Sequence, residues 1–248
     1  MALYDFSAPR LFLDCPLAAG EPVPLPPPQA HYVVSVMRRR DGDTLIVFNG
    51  VDGEWRGRVR ENGRRAVFVV PGERVREQTP LPDLIWLFAP LKHARLDYMV
   101  QKAVEMGVGA LAPVLTDYGQ VRHLNLERVR ANCIEAAEQC GVLALPEIRP
   151  PTPLEDALDA LETDRLLVFC DENAPVADPL AALAARRGRF TRLALLIGPE
   201  GGFSDAERAM VGNRAEVVTL SLGPRILRAD TAATAALALV QAALGDWT

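Results

Sequence analysis

The rhythm of apolar positions changes once along this chain, near residue 75. Before that point, apolar and polar residues alternate in short segments over 10–15, 43–49, 54–60 and 66–70. Alternation at period two marks a strand with one covered face. A small β-barrel domain is therefore expected over 1–72, with one short helix over 29–37. Asn62-Gly63 predicts a hairpin turn between two of its strands, because a type I′ turn needs positive φ at both central residues. The polar, proline-punctuated stretch 71–82 is the natural connector, and 73–82 is taken as the linker.

Beyond it the apolar runs become continuous, over 84–91, 110–115, 166–170, 193–197 and 217–222. Short uninterrupted runs fit strands buried on both faces of a parallel sheet. Helical spacing lies between them: Leu96, Met99, Val100, Ala103 and Val104 form one apolar stripe, and Gly107 is placed to end that helix. Ser204-Asp205-Ala206-Glu207 reads as a capping box opening another. The fold class that follows is α/β, with a parallel sheet over 83–248. The helix expected over 230–244 is apolar nearly all round. Such a helix lies deep in a monomer or packs against a second subunit. A homodimer is the reading adopted, with Leu237→Glu or Leu239→Glu expected to break it.

Composition narrows the chemistry. No segment approaches the ~20 apolar residues of a membrane span, and the first six residues lack the basic and apolar regions of a secretory signal. A cytoplasmic protein without membrane contact is expected. Cys15, Cys133, Cys140 and Cys170 are scattered, as are His31, His93 and His123, so no metal site is expected. The net charge of −5 hides an asymmetry: residues 1–72 hold nine arginines against eight acids. Arg38-Arg39-Arg40, Arg56, Arg58 and Arg60, and Arg64-Arg65 are clustered. Guanidinium forks suit phosphates and base edges, although neighbouring acids offer an ordinary solvated face as an equal reading.

The most informative feature is a pair of glycine-bearing loops. Gly198-Pro199-Glu200-Gly201-Gly202-Phe203 follows the run at 193–197; Leu222-Gly223-Pro224-Arg225-Ile226-Leu227-Arg228-Ala229-Asp230-Thr231-Ala232 follows the run at 217–222. Loops at the carboxyl ends of neighbouring strands are where open α/β sheets bind ligands. Neither a Rossmann fingerprint nor a P-loop is present. Gly201→Val is expected to abolish ligand binding, by blocking close backbone approach and penalising positive φ.

The two loops resemble those of the SPOUT, or α/β-knot, methyltransferases, and most closely the bacterial small-subunit rRNA uridine N3-methyltransferases of the RsmE type. The resemblance runs along nearly the whole chain. Arg10-Leu11-Phe12 and His31-Tyr32-Val33-Val34-Ser35-Val36-Met37-Arg38, with Asp41-Gly42-Asp43, resemble the family's PUA-like RNA-binding domain. Lys92, Gln101-Lys102-Ala103-Val104-Glu105-Met106-Gly107-Val108 and Glu135-Ala136-Ala137-Glu138-Gln139-Cys140-Gly141 with Pro146 resemble its central segments. Two positions depart from the pattern: Val142 stands where the family commonly has arginine, and Asp230 where it has glutamate.

The resemblance implies a trefoil-knotted methyltransferase domain binding S-adenosyl-L-methionine, a homodimer, and methylation of N3 of a uridine in 16S rRNA. The substrate would be free 16S rRNA or the assembled small ribosomal subunit. The cofactor residues it implies are Leu196, Ile197, Gly198, Pro199, Glu200, Gly201 and Gly202 from the first loop. The second contributes Leu220, Leu222, Gly223, Ile226, Leu227, Arg228, Asp230, Thr231 and Ala232. Arg10, His31, Arg38, Arg39, Arg40, Arg56 and Arg58 are the expected RNA contacts. A uridine N3 must be unpaired or extruded to be reached, and an arginine can stabilise the charge that spreads onto O2 and O4. Arg228 is the first candidate for that catalytic role and Arg10 the second. A SPOUT enzyme acting on another RNA, or a non-catalytic RNA-binding assembly factor, are the alternatives.

Overall fold

A computed structural model of the chain describes residues 8–62, 66–92, 94–175 and 178–247. The amino-terminal hexapeptide, Gly63 of the expected hairpin turn, Arg64, Arg65 and His93 lie outside the described residues. Backbone proximity divides the chain into two compact units, residues 1–80 with 137–145, and 81–136 with 146–248.

The first unit is built on a five-stranded sheet. Its strands are β1 (Arg10–Phe12), β2 (Val23–Pro24), β3 (Thr44–Phe48), β4 (Glu54–Asn62) and β5 (Ala66–Arg76), in the order β1-β3-β4-β5-β2. β1 pairs parallel with β3, and the other pairs are antiparallel. Alternate side chains, among them Leu45, Val47, Val59 and Val69, point into one core with Leu11, Leu13 and Val33. The strand expected over 66–70 runs on to Arg76. Pro71 does not stop it, because it sits opposite Gly57, beside a register shift between Arg56 and Gly57, where the ladder tolerates a missing N–H. The expected helix over 29–37 is α1 (Pro27–His31) passing into a wider π turn, Tyr32–Val36, closed by the Met37 N–H donating to the Tyr32 carbonyl at 2.9 Å.

The second unit is an α/β layer structure. Its strands are β6 (Leu84–Phe88), β7 (Ala110–Leu115), β8 (Glu147–Ile148), β9 (Thr152–Pro153), β10 (Leu166–Cys170), β11 (Leu193–Ile197) and β12 (Val217–Leu220). The sheet order is β12-β10-β11-β6-β7-β8, with β9 also on β7, and every pairing is parallel. The helices are α2 (Ala94–Glu105), α3 (Leu126–Cys140), α4 (Leu154–Asp159), α5 (Pro179–Ala184), α6 (Asp205–Gly212) and α7 (Ala229–Leu244). The two glycine loops leave strands that are not neighbours: β10 lies between β11 and β12. Apolar runs alone cannot order strands, since β6, β7, β10 and β11 are buried on both faces alike and only the edge strand β12 alternates.

Gly107 ends α2 at φ 73°, a conformation that glycine adopts without the Cβ penalty. α7 packs on α2, α5 and β11. Ala233, Ala236, Leu237 and Val240 are buried within this one chain. Its buried Gln241 donates to the Met106 carbonyl and accepts from the Asp246 N–H at 3.1 Å. The monomer therefore covers one side of the helix, while Ala235, Ala238, Leu239 and Leu244 are half-buried and Ala242 is exposed. Leu237→Glu would strike the monomer core, so it cannot isolate a dimer contact.

Arg165, 3% exposed at the start of β10, ties this sheet together. It donates to the Leu193 carbonyl at 2.9 Å and pairs with Asp83 and Glu162. Hydrogen bonds from Arg165 hold the Glu162 carboxyl down at about 2, against an ordinary 4.5. A depressed carboxyl stabilises the fold above its unfolded pKa and loses that contribution as pH falls through the folded one. Glu162→Gln should therefore lower stability at neutral pH and flatten the acid limb of the stability curve between pH 4.5 and 2. Chemical denaturation at stepped pH measures both, and an unaltered limb would remove the assignment.

Candidate functional site

Three strands of the second unit end level with one another. Cys170 is in register with Ile197 on one side and Leu220 on the other, so the loops after β10, β11 and β12 leave the same edge together. The chain returns from β10 to its inner neighbour β11, then crosses back to β12 beyond it. Such a reversal opens a crevice at the carboxyl ends of parallel strands. A cavity of about 460 Å³ lies there, within the size range of small-ligand sites.

Of the first-loop residues expected to hold a cofactor, Ile197, Gly198, Pro199, Glu200, Gly201 and Gly202 line this cavity. Leu220, Leu222, Gly223, Ile226, Leu227 and Ala232 line it from the second. Leu196 does not: it is fully buried in the core below the sheet edge. Arg228, Asp230 and Thr231 lie outside the wall. Arg228 is the exposed residue before α7, and the Asp230 carboxylate accepts from the Thr231 N–H at 2.8 Å.

A third wall went unforeseen. Cys170, Asp171 and Glu172, from the loop after β10, complete the cavity. This loop has no glycine to advertise it. The available signal was two acids directly after a buried apolar run.

The glycines have distinct tasks. Gly202 sits at φ 68° and Gly223 at φ 100°, whereas Gly201 is not in the left-handed region. The positive-φ requirement assigned to Gly201 therefore belongs to Gly202. Gly198 is required for space: a Cβ there would lie 2.5 Å from the ring of Phe203. That ring is 1% exposed and packs edge-on against Phe169.

The first loop is fixed at both ends. Ser204 and Glu207 form the expected capping box, with the Glu207 N–H donating to Ser204 Oγ at 3.2 Å and the Ser204 N–H to Glu207 Oε2 at 2.8 Å. The other Glu207 oxygen accepts from the Asp117 N–H at 2.9 Å, which ties the loop after β7 to the same point.

Arg208, one residue on, joins two walls of the cavity. It donates to Asp171 at 2.9 Å, to Glu172 at 3.2 Å and to the Phe203 carbonyl. Hydrogen bonding to Asp171 and the nearby acids raises its pKa. Arg208 is thus a positioning residue for the β10 and β11 loops. Arg208→Met should raise the dissociation constant for a cavity ligand by about tenfold, or about 1.4 kcal/mol, with secondary structure intact. Isothermal calorimetry tests this, and an unchanged constant would mean that each loop holds its own shape.

The arginines of the first unit divide. Arg10 is 8% exposed, its Nε donating to Glu54 at 2.6 Å. Its remaining donors meet the Ala137, Glu138 and Val142 carbonyls, and the guanidinium lies 4.2 Å over Phe48. Burial lowers its pKa while Glu54 opposes the shift. Arg10 faces inward as a scaffold residue.

Arg58 and Arg60 share the outer face of β4, and the turn after the π segment meets them. Arg58 donates to the Gly42 carbonyl at 3.0 Å and Arg60 lies 3.7 Å from Asp41. Arg56 pairs with Glu73 at 2.9 Å. Arg38 is exposed at φ 55°, Arg40 is exposed, and Arg39 is half-buried. His31, exposed on α1, lies 3.2 Å from the Ser35 hydroxyl.

Among the described residues no group of three histidines, cysteines or acids is arranged to hold a metal, and no helix is long and apolar enough to cross a membrane.

Residues 77–241 match the RNA methyltransferase domain family and residues 25–72 the RNA methyltransferase PUA domain family. The ribosomal RNA small subunit methyltransferase E of Rickettsia conorii is 28% identical, over 94% of each chain. The protein of that name from Synechocystis is 30% identical over 87% of this chain and 71% of its own. The crystal structure of a ribosomal RNA small subunit methyltransferase E from Neisseria gonorrhoeae bound to S-adenosyl methionine covers 97% of this chain and 100% of its own, at a TM-score of 0.83 and 27% identity. A putative methyltransferase from Legionella pneumophila with bound SAM superimposes at a TM-score of 0.78 with 30% identity, covering 95% and 98%. With the fold, the three-loop cavity and these matches in agreement, the chain belongs to the RNA methyltransferase family.

Proposed function

We propose that this protein methylates N3 of a uridine in 16S rRNA of the small ribosomal subunit, using S-adenosylmethionine. The observation that carries the reading is the cavity at the ends of β10, β11 and β12, in a chain whose relatives include S-adenosylmethionine-bound methyltransferases. Its residues suit that cofactor. Left-handed Gly223 leaves the backbone open to a flat heterocycle, since nothing lies within 4 Å of a Cβ built there, while the Gly202 N–H donates to the Pro199 carbonyl at 3.0 Å and holds the first loop in its turn. The wall carries both signs of charge, with Asp171 and Glu172 paired to Arg208, Glu200 paired to Arg95 and Arg225 beside them, which suits a ligand that bears both a carboxylate and an ammonium.

When bound, the cofactor supplies an electrophilic methyl group with a neutral thioether as leaving group. The protein's tasks are orientation and electrostatics. The backbones of the two glycine loops hold one reactant. Arg228 supplies positive charge for O2 and O4 of the uracil as N3 releases its proton to solvent water; among the described residues its side chain has no hydrogen-bond or ion-pair partner. Arg10 takes no part in the proposed chemistry.

The proposal extends to the RNA. Residues 1–72 serve as the RNA-binding domain, through Arg38, Arg40, Arg56 and Arg58; of the expected linker 73–82, residues 73–76 belong to β5, and of the methyltransferase domain expected over 83–248, residues 137–145 belong to the first unit. The family resemblance supports a trefoil knot in the methyltransferase domain and a cytoplasmic homodimer. Nucleoside mass spectrometry of 16S rRNA from a deletion strain tests the reaction. The expected result is loss of one 3-methyluridine, restored by adding back the protein with S-adenosylmethionine. Undiminished 3-methyluridine would overturn the assignment.

A further inference from the structure

A second cavity, of about 340 Å³, opens in the second unit at the carboxyl ends of β6 and β7. It lies on the same sheet edge as the cofactor cavity, because β6 is the other neighbour of β11. Its wall comes from the loop after β6 with the first turn of α2, and from the end of the β7 loop with the first turn of α3. The two cavities are linked by one ion pair. Glu200, in the wall of the first, lies 2.8 Å from Arg95, which stands between Lys92 and Leu96 of the second.

The floor is apolar, formed by Leu91, Leu96, Val121 and Val129, and the rim carries Lys92 and His123. The acid of this cavity, Asp97, is already engaged by Arg128 on Nε at 3.0 Å and by Asn132 at 2.7 Å. Lys92 and His123 are both exposed, and neither side chain is hydrogen-bonded or ion-paired to another described residue. An uncompensated ammonium and a ring N–H above an apolar floor match a phosphate attached to a sugar and a base. A free anion would have no use for the floor, and an apolar partner none for the cations. A ligand of that composition beside a methyl-donor cavity belongs to the acceptor strand.

We propose that this cavity binds a nucleotide of the substrate RNA flanking the target uridine, with Lys92 and His123 on its phosphate and the apolar floor beneath its sugar and base. The inference rests on the RNA-methylating function proposed above. It adds to that reading a positioning site on the methyltransferase domain itself, separate from the arginines of residues 1–72. Because Arg95 and Glu200 join the two cavities, a strand anchored here would be held next to the donor.

The test uses the full-length protein and a fluorescently labelled single-stranded oligouridylate, with anisotropy followed across a potassium chloride series. Lys92→Gln with His123→Ala should weaken RNA binding about tenfold. It should also lower the salt slope by about 0.7 for each phosphate that the protein no longer neutralises. Lys92→Arg with native His123 should keep both values. S-adenosylmethionine affinity by calorimetry and the thermal midpoint should match wild type, since both side chains are exposed. Equal RNA affinity and slope in the double variant would overturn the inference and leave the cavity to a partner of other chemistry. A wild type that binds S-adenosylmethionine but no RNA would overturn the functional reading, and this inference with it.

Discussion

Gly198→Val is expected to reduce S-adenosylmethionine affinity by more than about a hundredfold. A Cβ at this position would lie 2.5, 2.9 and 3.1 Å from three ring carbons of Phe203. The ring cannot move aside freely, because it is 1% exposed and lies 5.0 Å, centroid to centroid, from Phe169. Adding atoms to a packed core in this way costs about 1–3 kcal/mol. Here the strain falls on the residues that form the cavity wall, so ligand binding should suffer more than the fold. Gly202→Val should also weaken binding, through its φ of 68°, but its nearest obstruction is the mobile end of Glu172. Gly201→Val should be the mildest of the three: its Cβ would lie 3.1 Å from Tyr118 Cβ, and no left-handed φ is at stake. Gly212→Ala, on α6 with nothing within 4 Å, is the control. Calorimetry and thermal melts of the four variants give the order. Wild-type affinity in a folded Gly198→Val protein would remove the first loop from the site.

Arg10→Met should produce the largest loss of stability. Removing the guanidinium leaves Glu54, 3% exposed, with Arg76 at 3.4 Å as its one cationic partner among the described residues. It also takes away the donor of the Ala137 and Val142 carbonyls. Breaking a buried ion pair on one side costs about 3–5 kcal/mol, because the remaining charge stays out of water. Urea denaturation should show this loss in the early part of unfolding. Cofactor affinity of the folded fraction should be unchanged. A variant with wild-type stability but no methyl transfer would reverse the assignment and return Arg10 to the chemistry.

Arg10 also shows where local sequence stops being informative. An arginine beside an apolar strand start reads equally as a surface cation and as a buried one. Its environment comes from Glu54, 44 residues away, and from the carbonyls of Ala137 and Val142, 127 and 132 residues away. The family pattern marked Val142 as a missing arginine; the fold uses its backbone.

The sequence by itself determined most of the elements. Alternation at period two specified β1, β3, β4 and the first half of β5, and continuous apolar runs specified β6, β7, β10, β11 and β12, whereas β2, β8 and β9, each two residues long, carry no such signal. Serine and glutamate at the right spacing set the start of α6. These are local properties, fixed by which faces of a short segment must leave water. The same holds for most of the two glycine loops, because left-handed backbone favours glycine wherever it occurs. Tertiary structure alone decided the order of the strands, and with it the site. Placing β10 between β11 and β12 brought Asp171 and Glu172 into the cavity and gave Arg208 two walls to join. It also decided what covers the buried side of α7, where α2 and α5 supply apolar surface. In each case the deciding partner lies far along the chain, and apolar surface attracts without direction, so a pattern can say that a face is buried but not against what.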